Sequence, residues 1–247
     1  MRNLIFADVK RILKKRSYLL FLGITCIISL IWAIHTKGGT CDGFNFVSNQ
    51  VMGLNTVDTI LGIVIYISVY ADEFTSNSMQ CLIGRGISRL KILICKFTDC
   101  VIITLISFGV YALFVTFAGL IVGVKMTGAQ ATFLYGEIFA AAIKSLGYAT
   151  MSMIILFWTK NVAFATAADV LMIFSGQNTG GILTKLPVIK FMHPDRHLFT
   201  GAISCANVDL QLVGGSAIFT SLWILVKVCV VSLLLSYLLF RKKELDF

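Results

Sequence analysis

Residues 100–123 read CVIITLISFGVYALFVTFAGLIVG, 24 positions without one acidic or basic side chain. Wound as an α-helix at about 1.5 Å per residue, this run extends about 36 Å, enough to cross the roughly 30 Å hydrocarbon layer of a bilayer. A helix on the surface of a soluble domain keeps a polar face, and this one has none. The solvent it is built for is lipid.

Comparable apolar stretches stand at 17–34, 51–70, 136–158, 162–175 and 216–240. Over its 247 residues the chain is 57% hydrophobic and 13% charged, against roughly 45–50% and about 25% in soluble proteins. The expectation is an all-α polytopic membrane protein: residues 1–247 as a single transmembrane domain with six transmembrane helices and short loops. No room remains for a separate soluble catalytic domain, which excludes a self-contained soluble ATPase, kinase or dehydrogenase. The fifth stretch is the weakest, since its 14 residues reach only about 21 Å and include Asp169.

Residues 1–16, MRNLIFADVKRILKKR, place Leu4, Ile5, Val9, Ile12 and Leu13 at helical spacing, with Lys10, Arg11, Lys14 and Lys15 between them. This is the pattern of an amphipathic helix lying in the headgroup plane, either as a basic anchor or as a coupling element. The apolar run that follows is too long for a cleavable signal and has no small-residue cleavage site after Trp32. With the N-terminus inside, the segments 1–16, 71–99, 159–161 and 241–247 hold 14 of the 21 lysines and arginines. The positive-inside rule therefore predicts both termini in the cytoplasm of a cell whose cytoplasmic membrane the chain crosses. The net charge of +9 is accounted for by topology, so nucleic acid is not an expected partner.

Four charged residues fall inside the apolar stretches: Asp58, Lys144, Asp169 and Lys227. Each costs roughly 2.5–3.5 kcal/mol at the bilayer centre on insertion scales. Two acids and two bases allow mutual pairing that holds helices in register; the alternative is a water-lined path for a charged or amphiphilic cargo. Counted from the stretch ends, Asp58 and Lys144 are intermediate in depth, and Asp169 and Lys227 lie nearer mid-membrane.

Between the second and third stretches, residues 71–99 read ADEFTSNSMQCLIGRGISRLKILICKFTD. Asp72 and Glu73 open the segment, and Met79, Leu82 and Ile83 give it an apolar helical face. Gly84 and Gly86 then break the helix, and Ser88 stands where it can cap a new one from Arg89. A short helix results below the membrane, ringed by Arg85, Arg89, Lys91 and Lys96, with apolar anchors and charges suited to docking another protein.

An acidic residue leaving the second span, a short helix, a small-residue turn with Ser-Arg, an apolar patch and a downstream Lys resemble the permease subunits of ABC-2 type transporters. The match is carried by Glu73, Leu82, Ile83, Ser88, Arg89 and Lys96. The chain departs from the family pattern at Asn77-Ser78, where Gly-Thr is usual, and at Gly86, where Pro is frequent. The overall plan is also similar: a basic interfacial N-terminal helix, six spans and a long outer segment, 176–215, before the last span. The resemblance implies that this outer segment forms re-entrant or surface helices. It further implies separate ABC ATPase subunits and a second permease subunit, identical or paralogous. Asp72, Glu73, Leu82, Ile83, Arg85, Arg89 and Lys91, with the N-terminal helix, would receive the ATPase stroke. ATP and Mg belong to the partner ATPase, because no G-x-x-x-x-G-K motif is present here and no cofactor is expected on this chain.

The string FSGQNTGG at 174–181 is similar to an ABC signature but lies at the outer end of the fifth stretch, and is read as chance. His193 and His197 flank a proline, which disfavours a helical metal pair, and no metal site is expected. Cys41 and Cys205 are the two cysteines of the outer loops; a disulfide between them and two free thiols are both open. Neither G-x-S-x-G nor H-E-x-x-H occurs, so no catalytic residue is assigned and the chain is expected to be a non-enzymatic subunit. The expected function is an ATP-driven exporter of a hydrophobic or amphiphilic substrate, such as a peptide antibiotic, bacteriocin, drug or lipid. Permeases giving immunity to such peptides are similar in size. The alternative is an ion-gradient-driven secondary transporter or channel.

Overall fold

A computed structural model of the chain describes residues 2–37, 43–71, 74, 83–84, 86–176 and 216–242. Among the described residues seven α-helices follow one another: α1 (Arg2–Leu13), α2 (Arg16–Lys37), α3 (Gly43–Tyr66), α4 (Arg89–Val122), α5 (Gly128–Thr159), α6 (Val162–Gly176) and α7 (Ser216–Lys242). The end of α3 widens into a π-helical turn at Ile67–Ala71. No strand occurs among the described residues.

The helix ends follow from local chemistry. Gly123 closes α4 in the left-handed region at φ +77°; its N–H donates to Leu120 O and that of Val124 to Gly119 O, a Schellman closure. Four residues later Thr127 opens α5 with a reciprocal capping box, Gln130 N–H donating to Thr127 Oγ1 and Thr127 N–H to Gln130 Oε1. The α5–α6 turn consists of Lys160 and Asn161. Lys160 takes the left-handed conformation at φ 58°, and Asn161 Oδ1 accepts from Ala163 N and Phe164 N to cap α6. Ser88 precedes α4 in extended backbone, as the sequence suggests, but its hydroxyl does not make the capping bond.

Among the described residues, four helices are long and apolar enough to cross a membrane: Arg16–His35, Gly43–Tyr70, Arg89–Val122 and Gly128–Thr159. The apolar runs in α6 and α7, Val162–Met172 and Leu225–Phe240, are shorter. Three helices begin well before the apolar stretches that mark them: α3 at Gly43 rather than Val51, α4 at Arg89 rather than Cys100, and α5 at Gly128 rather than Gly136. The extra turns contain polar residues that depress hydropathy, yet several of those residues face inward and satisfy one another. Gln50, for example, is buried and donates to Ser29 O while accepting from the Ser29 hydroxyl.

α5 is the central element, packed against α3, α4, α6 and α7, while α2 lies against α3 and α4, and α1 against the start of α4. Tyr66, Tyr70, Phe46, Leu61, Ile65, Ile103 and Met153 form part of the buried interior. The outer faces are apolar, including Ile27 and Ile31 on α2, Leu113 and Leu120 on α4, and Val231 and Leu234 on α7. That inverted arrangement is favourable only where the surrounding medium is hydrocarbon.

At Gly53, where α3 faces α2, a Cβ would stand 2.6 Å from the Trp32 ring. Gly109 on α4 faces open space, with nothing within 4 Å of the equivalent atom. Gly53→Ala is expected to lower stability by about 1–3 kcal/mol through overpacking, whereas Gly109→Ala leaves it unchanged or slightly raised. Thermal unfolding in detergent of the two variants beside the parent checks the difference.

Candidate functional site: a buried charge cluster and an ionic tie at the basic end

The membrane-level charges resolve unequally. Lys144 Nζ lies 2.5 Å from Asp58 Oδ2, with the Asp58 side chain 1% and the Lys144 side chain 14% exposed. One of the pairings that the sequence allows is therefore present, and it is deeper than the sequence count places it. Because α3 and α5 start early, Asp58 has 15 helical residues before it and Lys144 has 16, so both stand near the middle of their helices.

The second pair of charges does not meet. Asp169 on α6 is 1% exposed and its Oδ1 accepts a 2.7 Å hydrogen bond from the Ser152 hydroxyl. Lys227 on α7 is exposed, with Nζ 5.4 Å from the centre of the Trp223 ring. Placing the acid and base at similar depth on two helices says nothing of azimuth, and α7 turns Lys227 outward. Asp58 Oδ1 and Asp169 Oδ2 are buried without a hydrogen-bond partner among the described residues.

Two ridges build the cluster. Asp58 and Tyr66 are eight residues apart on α3; Lys144 and Ser152 are eight apart on α5. Asp58 meets Lys144, and the Tyr66 hydroxyl donates to Ser152 O at 3.5 Å. Both contacts span 86 positions of sequence. A constant offset is the signature of parallel helices in register. Since α3 and α5 run the same way, α4 between them runs back through the bundle.

At one end of the bundle a second buried network appears. Lys96 Nζ lies 2.5 Å from Asp8 Oδ2 of α1 and 3.5 Å from Asp99 Oδ2 one turn along α4; Arg11 reaches Asp8 at 3.8 Å. Arg89 donates from Nη1 to Phe240 O at 2.7 Å and stacks over the Phe240 ring at 5.5 Å. Phe240 packs on Phe157, and Phe157 on Phe74. The described ends of the chain, α1 and α7, are thus fastened to the same end of α4.

The residues expected to couple to a partner divide accordingly. Arg89 is committed to the end of α7 instead of pointing outward. Lys91, Lys10, Arg11 and Lys14 are exposed, Lys15 is partly so, and Ile83 is half-buried against the core. Asp72, Glu73, Leu82 and Arg85 lie outside the described residues, as do Cys41, Cys205, His193, His197 and the 177–215 segment. Sequence reasoning passed over Asp8, Ser152, Tyr66 and Phe240. A signal for Asp8 was available: it sits four residues from both Leu4 and Ile12, on the apolar face of α1, where an acid requires a buried cation.

At the opposite end, α3 and α5 enclose an apolar groove of about 490 Å³ whose walls include Phe44, Val51, Met52 and Phe133. Among the described residues no group of three or more His, Cys, Asp or Glu side chains is arranged to hold a metal ion.

Removing one member of a buried ion pair strands the other. Lys144→Ala is expected to cost about 3–5 kcal/mol, and the joint replacement Asp58→Asn with Lys144→Met less than about 1 kcal/mol. Unfolding of the single and double variants in micelles measures the coupling; additive losses would remove the pair as an energetic unit.

No curated protein matches the chain. Residues 15–245 match the sequence model of the family described as "Protein of unknown function (DUF2705)". That match takes in every described helix from α2 to α7 and leaves out only α1, and the chain belongs to this family.

Proposed function

We propose that the protein is the membrane subunit of an ABC-2 type exporter, crossing the cytoplasmic membrane six times with both termini inside. A second permease subunit and separate ATP-hydrolysing subunits complete the machine, and this chain does no chemistry itself. The reading is carried by the buried Asp8–Lys96–Asp99 tie between α1 and α4. A helix that only anchors or orients a membrane protein needs lipid contacts and positive charge. It does not need an acid on its inner face bound to a lysine inside the bundle. Such a tie makes α1 and α4 move together, which is the property required of a lever pushed from the water side.

The basic end supports the same view. Arg89 joins the start of α4 to the last turn of α7, so displacement of α1 reaches both helices. The exposed Lys10, Arg11, Lys14 and Lys91 leave that surface positively charged for an acidic partner. The stroke then shifts α4 and α7 against the central α5 and opens a route for an amphiphilic cargo. The apolar groove at the far end has the size and lining suited to an alkyl or aromatic portion of such a molecule.

The buried Asp58–Lys144 pair with Asp169 favours a second reading, a transporter driven by an ion gradient. Reconstitution separates the two. Proteoliposomes with the chain alone are expected to move no amphiphile under a proton or sodium gradient, and to export it on ATP addition once the co-purifying ATPase is included. Gradient-driven transport by the chain alone would favour the second reading and reject the first. Within the complete complex, Asp8→Asn is expected to reduce export about tenfold, equivalent to about 1.4 kcal/mol of coupling, while ATP hydrolysis continues. Unchanged export in that variant would remove the tie from the stroke.

A further inference from the structure

The buried cluster holds one acid too many. Asp58 is matched by Lys144, whereas among the described residues Asp169 has the neutral Ser152 hydroxyl on Oδ1 and no partner on Oδ2. The remaining membrane-level cation, Lys227, points away toward Trp223 and the outside of the bundle. α6 packs against α3, its π-helical end and α5. The titratable groups those elements and α4 bring toward Asp169 are Asp58, Tyr66 and Cys100, with Lys144 behind Asp58. Lys144 is the one cation among them, and it is bound to Asp58. A second ionised carboxylate would be a buried, unbalanced negative charge facing another carboxylate, at a cost of several kcal/mol.

We infer that Asp169 is a proton-binding site: Oδ2 holds a proton, Oδ1 accepts from Ser152, and the Asp58–Lys144–Asp169 cluster is neutral as a whole. One proton on one atom restores neutrality, whereas a metal cation would require several oxygens converging on one point. The carboxyl stands beside the ridge that joins α3 to α5, so loss of its proton places a negative charge next to the Asp58–Lys144 pair. Lys144 is then contested between two carboxylates, and the contact between α3 and α5 responds. This inference concerns the charge balance of the chain and holds whichever energy source drives it.

The test uses the full-length protein in lipid nanodiscs. Infrared spectra at neutral pH are expected to contain the C=O stretch of a protonated carboxylic acid that shifts on H/D exchange. That band disappears in Asp169→Asn and is kept when Asp58 and Lys144 are replaced together by Asn and Met. Absence of the band in the parent protein, or its persistence in Asp169→Asn, overturns the assignment. Asp169→Asn preserves the acceptor for Ser152, so its unfolding temperature is expected to stay within about 2 °C of the parent, with Asp169→Ala lower than both. A loss in Asp169→Asn as large as that in Asp169→Ala shows that the negative charge itself is required, and rejects the protonated form. Unfolding temperatures are expected to be equal in sodium and choline salts; a sodium-dependent rise that vanishes in Asp169→Asn identifies a metal cation as the ligand and overturns the proton.

Discussion

A charge inside hydrocarbon must be answered within the protein, because lipid offers neither a counter-ion nor a hydrogen bond. This single requirement organises the bundle. It draws Lys144 of α5 onto Asp58 of α3, and it draws Asp8 of α1 onto Lys96 of α4. Apolar packing between membrane helices provides little preference for one rotation over another, since lipid tails are as apolar as leucine. The ionic contacts provide that preference, and with it the register of α3 against α5 and the attachment of α1.

The two networks stand at different depths and suit different work. The pair at mid-helix ties two parallel spans that face each other along a ridge, leaving Asp169 beside them with its own proton balance to keep. The tie at the basic end joins an outlying amphipathic helix to the bundle. Arg89 and the Phe240–Phe157–Phe74 stack extend that fastening to α7 and α5.

The helices were legible because an uninterrupted apolar run has one reading, as at residues 100–123. The break at Gly86 and the restart of helix at Arg89 were legible too, since glycine and a capping-type serine mark them. The true starts of α3 and α5 were not, because residues such as Gln50 read as solvent-facing when they are satisfied by partners on another helix. Pairing suffered from the same blindness. Two acids and two bases allowed ion pairs, but only three-dimensional azimuth could show that Asp58 takes Lys144 while Lys227 turns outward. Arg89 read as a docking cation, and its hydrogen bond to the last turn of α7 had no signal in the sequence.

The shared direction of α3 and α5 has a consequence for how the chain is made. Asp58 enters the membrane 86 residues before its counter-ion is synthesised, a wait of about 4–17 s at translation rates of roughly 5–20 residues per second. Throughout that interval α3 must be sheltered by the insertion machinery or carry Asp58 in its neutral form. The span that α5 holds through an ion pair is thus exposed to premature release during biogenesis, and the arrival of Lys144 marks the moment at which α3 and α5 can close on each other.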